Sequence, residues 1–408
     1  MADETTPTPP AGTPAVGGGG ASSGPSRQEL RQQSSAGGRR GPGAWLYILI
    51  AVGVLLIAGV VALIATSGNK TASVAPPAPV KATTTTAPAP VCPLTGEPAP
   101  NGTVPARPAL GIKIGNYPGD RPSAGLNQAD IVFEEPVDGA ITRLLAVFHC
   151  QSPKLVGDIR SARQPDAGIM AQLSNPLLVH AGGIDPVIAL LKASPLIDEN
   201  LYSGGNGSAI LMQPGRQAPY STFVNTSTLW ALDPSDTTPP APIFQYTAAP
   251  PAGTVAGSGA SVHIPFSATS DVTWTWSPST GTYLRSYSGQ PDILIGGAQT
   301  AATNVVVMTV QTANGTWVEN EEGGHEVLVT STGAGPLVVL RDGAAISGTW
   351  SRPSLTSPAT LTSSGGTAIT LHPGNTWVEL VPAGVTVTPA AATPAAATSS
   401  STTTTTTP

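Results

Sequence analysis

One segment leaves this chain little choice of structure. From Ala44 to Ala65 it reads AWLYILIAVGVLLIAGVVALIA, without a single charge. Backbone in hydrocarbon must satisfy its own hydrogen bonds, and about 22 residues at about 1.5 Å each span a bilayer core as a helix. Trp45 and Tyr47 stand at one end, where amphipathic rings favour the interface. Arg27, Arg31, Arg39 and Arg40 precede the run, and Lys70 and Lys81 follow it. That bias places the N-terminus in the cytoplasm and everything after Thr66 outside. A cleaved signal peptide has a shorter charged region and a shorter apolar core. A lipid anchor needs a Cys directly after the run, where Thr66-Ser67-Gly68-Asn69 stands. The expectation is a single-pass cell-membrane protein, with the membrane as a partner through Ala44–Ala65.

Around that span the composition shifts several times. Residues 1–43 are Pro, Gly, Ser, Ala and Thr with a few arginines, a cytoplasmic segment unable to bury a core. Residues 66–91 form a Pro/Thr/Ala-rich spacer of semi-rigid character. Residues 388–408 are a Thr-rich tail read as disordered. Between them lie two foldable stretches, 92–246 and 262–387, separated by the Pro/Gly/Ala/Ser linker 247–261. Only 10% of the 408 residues are charged, which argues against coiled coils and charge-rich bundles. Eighteen Lys and Arg against 24 Asp and Glu give a net charge of −6, and no basic block is long enough to neutralise a run of phosphates. Nucleic acid is excluded as a partner on that ground.

The first stretch mixes two periodicities. Gly111–Ile114, Ala129–Glu134 and Ile141–His149 read as strands, the last two joined by the turn Pro136-Val137-Asp138-Gly139. Gln164–Leu173 and Pro186–Ala193 read as helices with a proline near each start. The second stretch is all short strands: Val272–Trp276 alternates, and Asn304–Val310 is followed by Asn314-Gly315, a hairpin signal before Thr316–Glu319. Arg341-Asp342-Gly343 repeats that signal, and Trp317, Trp350 and Trp377 each follow a Thr, as if to share one small core. The fold class expected is α+β: a transmembrane helix, a mixed α/β extracytoplasmic domain, then a mainly antiparallel β domain.

Cys92 and Cys150 both fall after the span, where a disulfide persists. The competing reading makes Cys150 a nucleophile with His149 as base. Adjacent residues of a strand point to opposite faces, so the disulfide is the better reading.

The words Cys92-Pro93-Leu94-Thr95-Gly96, RPALGIKIGNYPGDRPSAGLNQADIVFEEPVDGAITRLLAVF, VGDIRSAR and LVHAGG resemble the YerB-like family of bacterial envelope proteins. The likeness runs from about Pro93 to Phe244 and continues more weakly through HIPFS, YLRSYSG and NVVV. It implies a membrane-anchored protein with two extracytoplasmic domains and supplies no function. Relatives are often lipid-anchored through a Cys, and they carry Pro-His-Asn where Pro219 is here followed by Tyr220 and Ser221. No role of that histidine transfers to this chain.

Chemistry has few places to sit. Arg160, Ser161 and Arg163 precede a helix opened by Pro165, a setting for a carboxylate or phosphate pocket. Alternatively, Arg160 and Arg163 pair with Glu134, Asp130 or Asp166 and lock the fold. Arg143 flanks the Pro136–Gly139 turn and faces Glu134 across it. His180 ends an apolar run before Gly182 and Gly183, a place for a ligand donor or general base, or for a hydrogen-bonded turn histidine. The candidate catalytic groups are His180, Glu134 and Asp130. The five histidines show no i, i+4 pair and there is no Cys cluster, so neither metal nor other cofactor is expected. The leading expectation is an envelope protein that binds an anionic or sugar-containing wall component. A hydrolase of an envelope polymer, or a scaffold for other envelope proteins, are the alternatives.

Overall fold

The structure, a computed structural model, describes residues 89–203, 206–320 and 323–392. The expected cytoplasmic segment 1–43, the span Ala44–Ala65, almost all of the spacer and most of the Thr-rich tail lie outside the described residues. All of the described residues belong to one unit.

In chain order the first half contains β1 (Leu110–Gly115), β2 (Ile131–Val137), β3 (Ile141–Phe148) and β4 (Val156–Gly157). Helix α1 (Gln164–Met170), β5 (Leu177–His180), α2 (Asp185–Lys192) and β6 (Ile197–Asn200) follow. Strands β7 (Ile210–Met212) and β8 (Thr222–Val224) and helix α3 (Thr226–Trp230) complete it. The second half is entirely strands. These are β9 (Ser261–Ser267), β10 (Ser270–Ser277), β11 (Thr282–Tyr287), β12 (Gln290–Pro291), β13 (Ala301–Ala302) and β14 (Asn304–Val318). After them come β15 (His325–Thr330), β16 (Gly333–Arg341), β17 (Ala344–Arg352), β18 (Thr360–Ser363), β19 (Thr376–Pro382) and β20 (Thr388–Ala390).

One sheet crosses both halves, in the order β18-β17-β16-β14-β19-β2-β3-β1-β5-β6, with β15 paired to β14. The junction is parallel: Thr376 to Glu379 of β19 lie opposite Ile131 to Glu134 of β2. Side chains alternate across this sheet as strand geometry requires. Val132, Leu144, Ala146, Val305, Val307 and Trp377 join one core, into which Val262, Val272, Trp274 and Tyr283 of a second sheet (β12-β11-β10-β9-β20) also pack. Ile131, Phe133, Leu145, Val147, Val306 and Met308 join the core on the opposite face, beneath Ile169 and Met170 of α1 and Leu191 of α2. A small third sheet, β4-β8-β7, adds Val156 and Val224 to the first core.

This architecture corrects the expected class. Among the described residues the protein is mostly β, not a mixed α/β domain preceded by a transmembrane helix. Its longest α-helix has 8 residues, and no helix among them is long and apolar enough to cross a membrane. The physical reason is that central strands buried on both faces do not alternate, so local periodicity in 92–246 says little about how much sheet there is. The linker also has structure. Arg341 donates to Thr247 O and Ala248 O at 3.0 and 3.1 Å, and Gly259 N donates to Gly343 O at 3.1 Å.

Local signals fared unequally. The Arg341-Asp342-Gly343 turn joins β16 to β17 with positive φ at Asp342 and Gly343, as a two-residue hairpin needs. Asn314-Gly315 does not turn: β14 runs through it, the register shifts between Asn314 and Val318, and the chain reverses only after Glu319. A bulge absorbs the same dipeptide that would make a tight turn. The three Thr-Trp indoles do not share a core. Trp377 meets Trp274 edge-on at 5.1 Å on one face of the sheet, while Trp350 is buried on the other.

Candidate functional site

Strands β1 and β5 pair in parallel only from Leu110↔Leu177 to Ile112↔Val179. Beyond that point they part, and the segment Asp158–Ala162 fills the gap. Gly115 N donates to Asp158 O, Arg160 N to Lys113 O, Ala181 N to Arg160 O and Ala162 N to Gly182 O, all between 2.9 and 3.1 Å. The place where parallel strands diverge is where sheets of this kind commonly receive ligands. Here the inserted segment puts Arg160 there, next to Arg143 of β3 through Ser161.

Arg160 donates from Nη1 to Asp120 Oδ1 at 3.1 Å, lies 4.0 Å from Asp158 Oδ2, and remains 21% exposed. Arg143 lies opposite Glu135 and Gly115 in the ladder, not opposite Glu134. Its Nη1 donates to Ser161 O at 3.0 Å, and among the described residues no ion pair holds it. Burial, then the charges of Arg163 and Arg160, bring Arg143 down to about 10. Arg163 is buried and fully engaged, with Asp138 at 2.8 Å, Glu319 at 3.0 Å and Glu326 at 3.4 Å. The start of α1 is occupied as well: Asp166 Oδ2 accepts from Arg163 N and Glu326 Oε1 from Gln164 N. The anion pocket expected at that helix is filled by the protein's own carboxylates. Ser161 Oγ donates to Ala181 O at 3.2 Å, and Gly182 N donates to Asn200 Oδ1 at 3.1 Å. Gly182 and Gly183 form the rim.

The three candidate catalytic groups occupy three separate places. His180 is sealed from solvent, with Nδ1 against Gly182 O and Nε2 against Asp198 Oδ1, both at 2.7 Å. Glu134 lies between the two large sheets, accepting from Asn116, Thr142 and Arg285. Asp130 lies beside the disulfide, accepting from Cys150 N at 3.2 Å, and burial pushes it up to about 7. Cys92 and Cys150 are bonded, with Cα atoms 6.0 Å apart. That removes any nucleophilic role for Cys150 despite the 3.7 Å approach of His149 Nδ1.

Sequence reasoning missed Asp120, which sits with Asp158 behind Arg160. Neither carboxyl oxygen of Asp158 receives an N–H or O–H donor, and burial followed by the charge of Asp120 pushes it up to about 8. Glu326 rises to about 9 through burial and its hydrogen bond with Glu319. Both shifts favour the protonated form, against the pull of Arg160 on Asp158 and of Arg163 on Glu326. Both residues sit in charged words of the sequence, GDIRSAR and GGHEVLV, but their burial has no sequence signal. Elsewhere a groove of about 750 Å³ between Ile243-Phe244 and Leu361-Ile369 is lined without a titratable side chain.

Comparison with known proteins agrees with this fold. Residues 94–238 match the family described as "Protein of unknown function (DUF3048) N-terminal domain", and residues 262–378 match its C-terminal domain. A curated relative from Bacillus subtilis (strain 168), named "Putative lipoprotein YerB", is 38% identical over 112 residues. That match covers 28% of this chain and only 30% of the relative's length. The crystal structure of YerB protein from Bacillus subtilis superposes with a TM-score of 0.62 at 20% identity, covering 73% of this chain and 99% of that one, which shows a shared fold. The expected localisation, a single-pass protein with a cytoplasmic N-terminus, is corrected: the relative is named a putative lipoprotein, and no helix among the described residues is long and apolar enough to cross a membrane. Both matched segments lie in the one continuous body described above, and the chain belongs to the DUF3048 family of YerB-like proteins.

Proposed function

We propose that this chain is a membrane-anchored protein of the bacterial envelope whose first half binds an anionic envelope component in the crevice between β1 and β5. The observation that carries the reading is Arg143, a nearly buried guanidinium with one carbonyl acceptor and no ion pair among the described residues. A buried charge is ordinarily paired, because desolvation is costly. An arginine with no carboxylate in contact, depressed by burial and by the charges of Arg163 and Arg160 more than Asp138 and Asp120 restore it, is in the state a carboxylate or phosphate ligand would relieve. The envelope location rests on the relative named as a lipoprotein.

The test is calorimetric titration of the full chain with inorganic phosphate and with isolated cell-wall fragments. Arg143→Met should weaken binding roughly 10- to 100-fold, as the loss of a charge-assisted hydrogen bond of about 1.5–3 kcal/mol implies. Equal affinity of the wild type and Arg143→Met would sink the proposal. Release of soluble fragments from the wall material would instead make the protein a hydrolase.

A further inference from the structure

The Tyr220 ring stands by Arg160, Tyr117 and Tyr202 are hydrogen-bonded to residues around it, and the binding reading above uses none of the three. Tyr117 is 46% exposed and Tyr202 64%, while Tyr220 is half-buried. The Arg160 guanidinium carbon lies 5.4 Å from the centre of the Tyr220 ring. Tyr220 packs so close to Gly119 that any Cβ there would stand 2.8 Å from the phenol carbon. Tyr117 N donates to Asp120 Oδ2, the carboxylate that holds Arg160. Tyr202 is linked to the neighbour of Arg160 through Thr222. Its hydroxyl meets Thr222 Oγ1 at 2.8 Å, and Thr222 O accepts from Ile159 N, next to Arg160. Tyr202 N and Gly182 N share Asn200 Oδ1, which ties this ring to the glycine rim. Exposed Leu211 and Met212 of β7 extend the patch.

Asp120 and Asp158 stand against Arg160, but a second arginine of this region is free of carboxylates. Arg216 donates to the carbonyls of Gly119, Arg121 and Pro122 and, like Arg143, has no ion pair among the described residues. Exposed tyrosines combine a flat apolar face with a polar tip. Their π faces carry negative charge density that suits the apolar C–H face of a pyranose ring, and the arginine forks suit an acid group on it. Nucleic acid would need stacking of the same kind, but the net charge of −6 opposes a phosphate chain.

We infer that Tyr117, Tyr202 and Tyr220 form a saccharide platform beside Arg160, and that the ligand of the crevice is a sugar carrying a carboxylate or phosphate. This rests on the anion-binding reading and adds the sugar to it.

The test is titration of the full-length protein with trigalacturonate and glucose 6-phosphate, using acetate and inorganic phosphate as the matching acids without a sugar. At least one acidic sugar should bind about tenfold or more tightly than its control, and the one that does identifies the acid group. Tyr202→Ala should erase that margin while leaving the affinity for the simple acid unchanged; Tyr202→Phe keeps the ring and should retain it. Acidic sugars binding no better than the simple acids, or Tyr202→Ala binding them like the wild type, would overturn the platform while the anion site stands. Failure of all four probes to bind would overturn both readings.

Discussion

Arg285 donates from Nη2 to both carboxyl oxygens of Glu134, at 3.0 and 2.9 Å, in a cluster closed to solvent. The pair links β11 of the second sheet to β2 of the first. Burial works against the charge of Arg285, but Glu134, Asp292 and Glu379 together hold it in its cationic form. Trp274 donates to Glu379 Oε1 at 2.7 Å, which brings the paired indoles into the same network. Removing one member leaves an uncompensated buried charge. Arg285→Met should therefore cost about 3–5 kcal/mol, read as a fall in the urea midpoint. Glu134→Gln in the same chain should restore part of that loss, because the orphaned carboxylate is then gone. A single variant as stable as the wild type would show that the cluster does not join the sheets.

Stability should decline as pH rises. Burial raises Asp130 and Glu135 to about 7, Asp158 to about 8 and Glu326 to about 9, and it lifts Glu379 well above the usual range. Each such group binds its proton more tightly folded than unfolded. Its contribution is thus complete below the ordinary carboxylate range and is lost as pH climbs through the raised value. His149 acts the other way: burial lowers it to about 4, so it favours folding increasingly from there to its ordinary range. The carboxyls outnumber it, and the melting temperature at about pH 5.5 should exceed that at about pH 8.5. Asp158→Asn should flatten the upper part of the profile. A melting temperature that climbs across this window would contradict the assignment.

The disulfide closes a sequence separation of 58 residues and fastens the chain leading into the sheet to the end of β3. Replacing both Cys92 and Cys150 by Ser should cost about 2–5 kcal/mol in denaturant unfolding. The wild type measured with a thiol reductant should then match the double variant. Agreement between oxidised and reduced wild type would mean that the bridge adds nothing.

What could be read along the chain was local. The β2–β3 hairpin around Pro136–Gly139, the proline-led starts of α1 and α2, and the turn at Asp342-Gly343 all depend on neighbours within a few residues. So does the arginine grouping in GDIRSAR, although the fold gives Arg160 and Arg163 different partners. The rest depends on contacts between distant positions. Glu134 finds Arg285 at a separation of 151 residues, and Ile131 pairs with Thr376 across the whole ordered body. No periodicity announces that a strand from the end of the chain will lie beside one from its start. Arg163 illustrates the same limit. Its carboxylate partners Glu319 and Glu326 come from the β14–β15 arm, and only the fold shows that it is engaged while Arg143 is not.

The linker gives the sharpest steric test. A Cβ on Gly259 would stand 2.5 Å from the carbonyl carbon of Ala344 and from Ala345 N, both backbone atoms that cannot rotate aside. Ser258 Oγ accepts from Ala345 N at 3.0 Å, and Tyr283 Oη donates to Gly259 O at 3.1 Å, so the segment is fixed on both sides. Gly259→Ala must push the linker off the β16–β17 turn or distort that turn, at a cost of about 1–3 kcal/mol. Because the linker leads directly into β9, the loss should appear as earlier proteolytic cleavage within 247–261 along with the lower midpoint. A Gly259→Ala protein with the wild-type midpoint and cleavage pattern would mean that the segment is a free tether, as its Pro/Gly/Ala composition alone would have it.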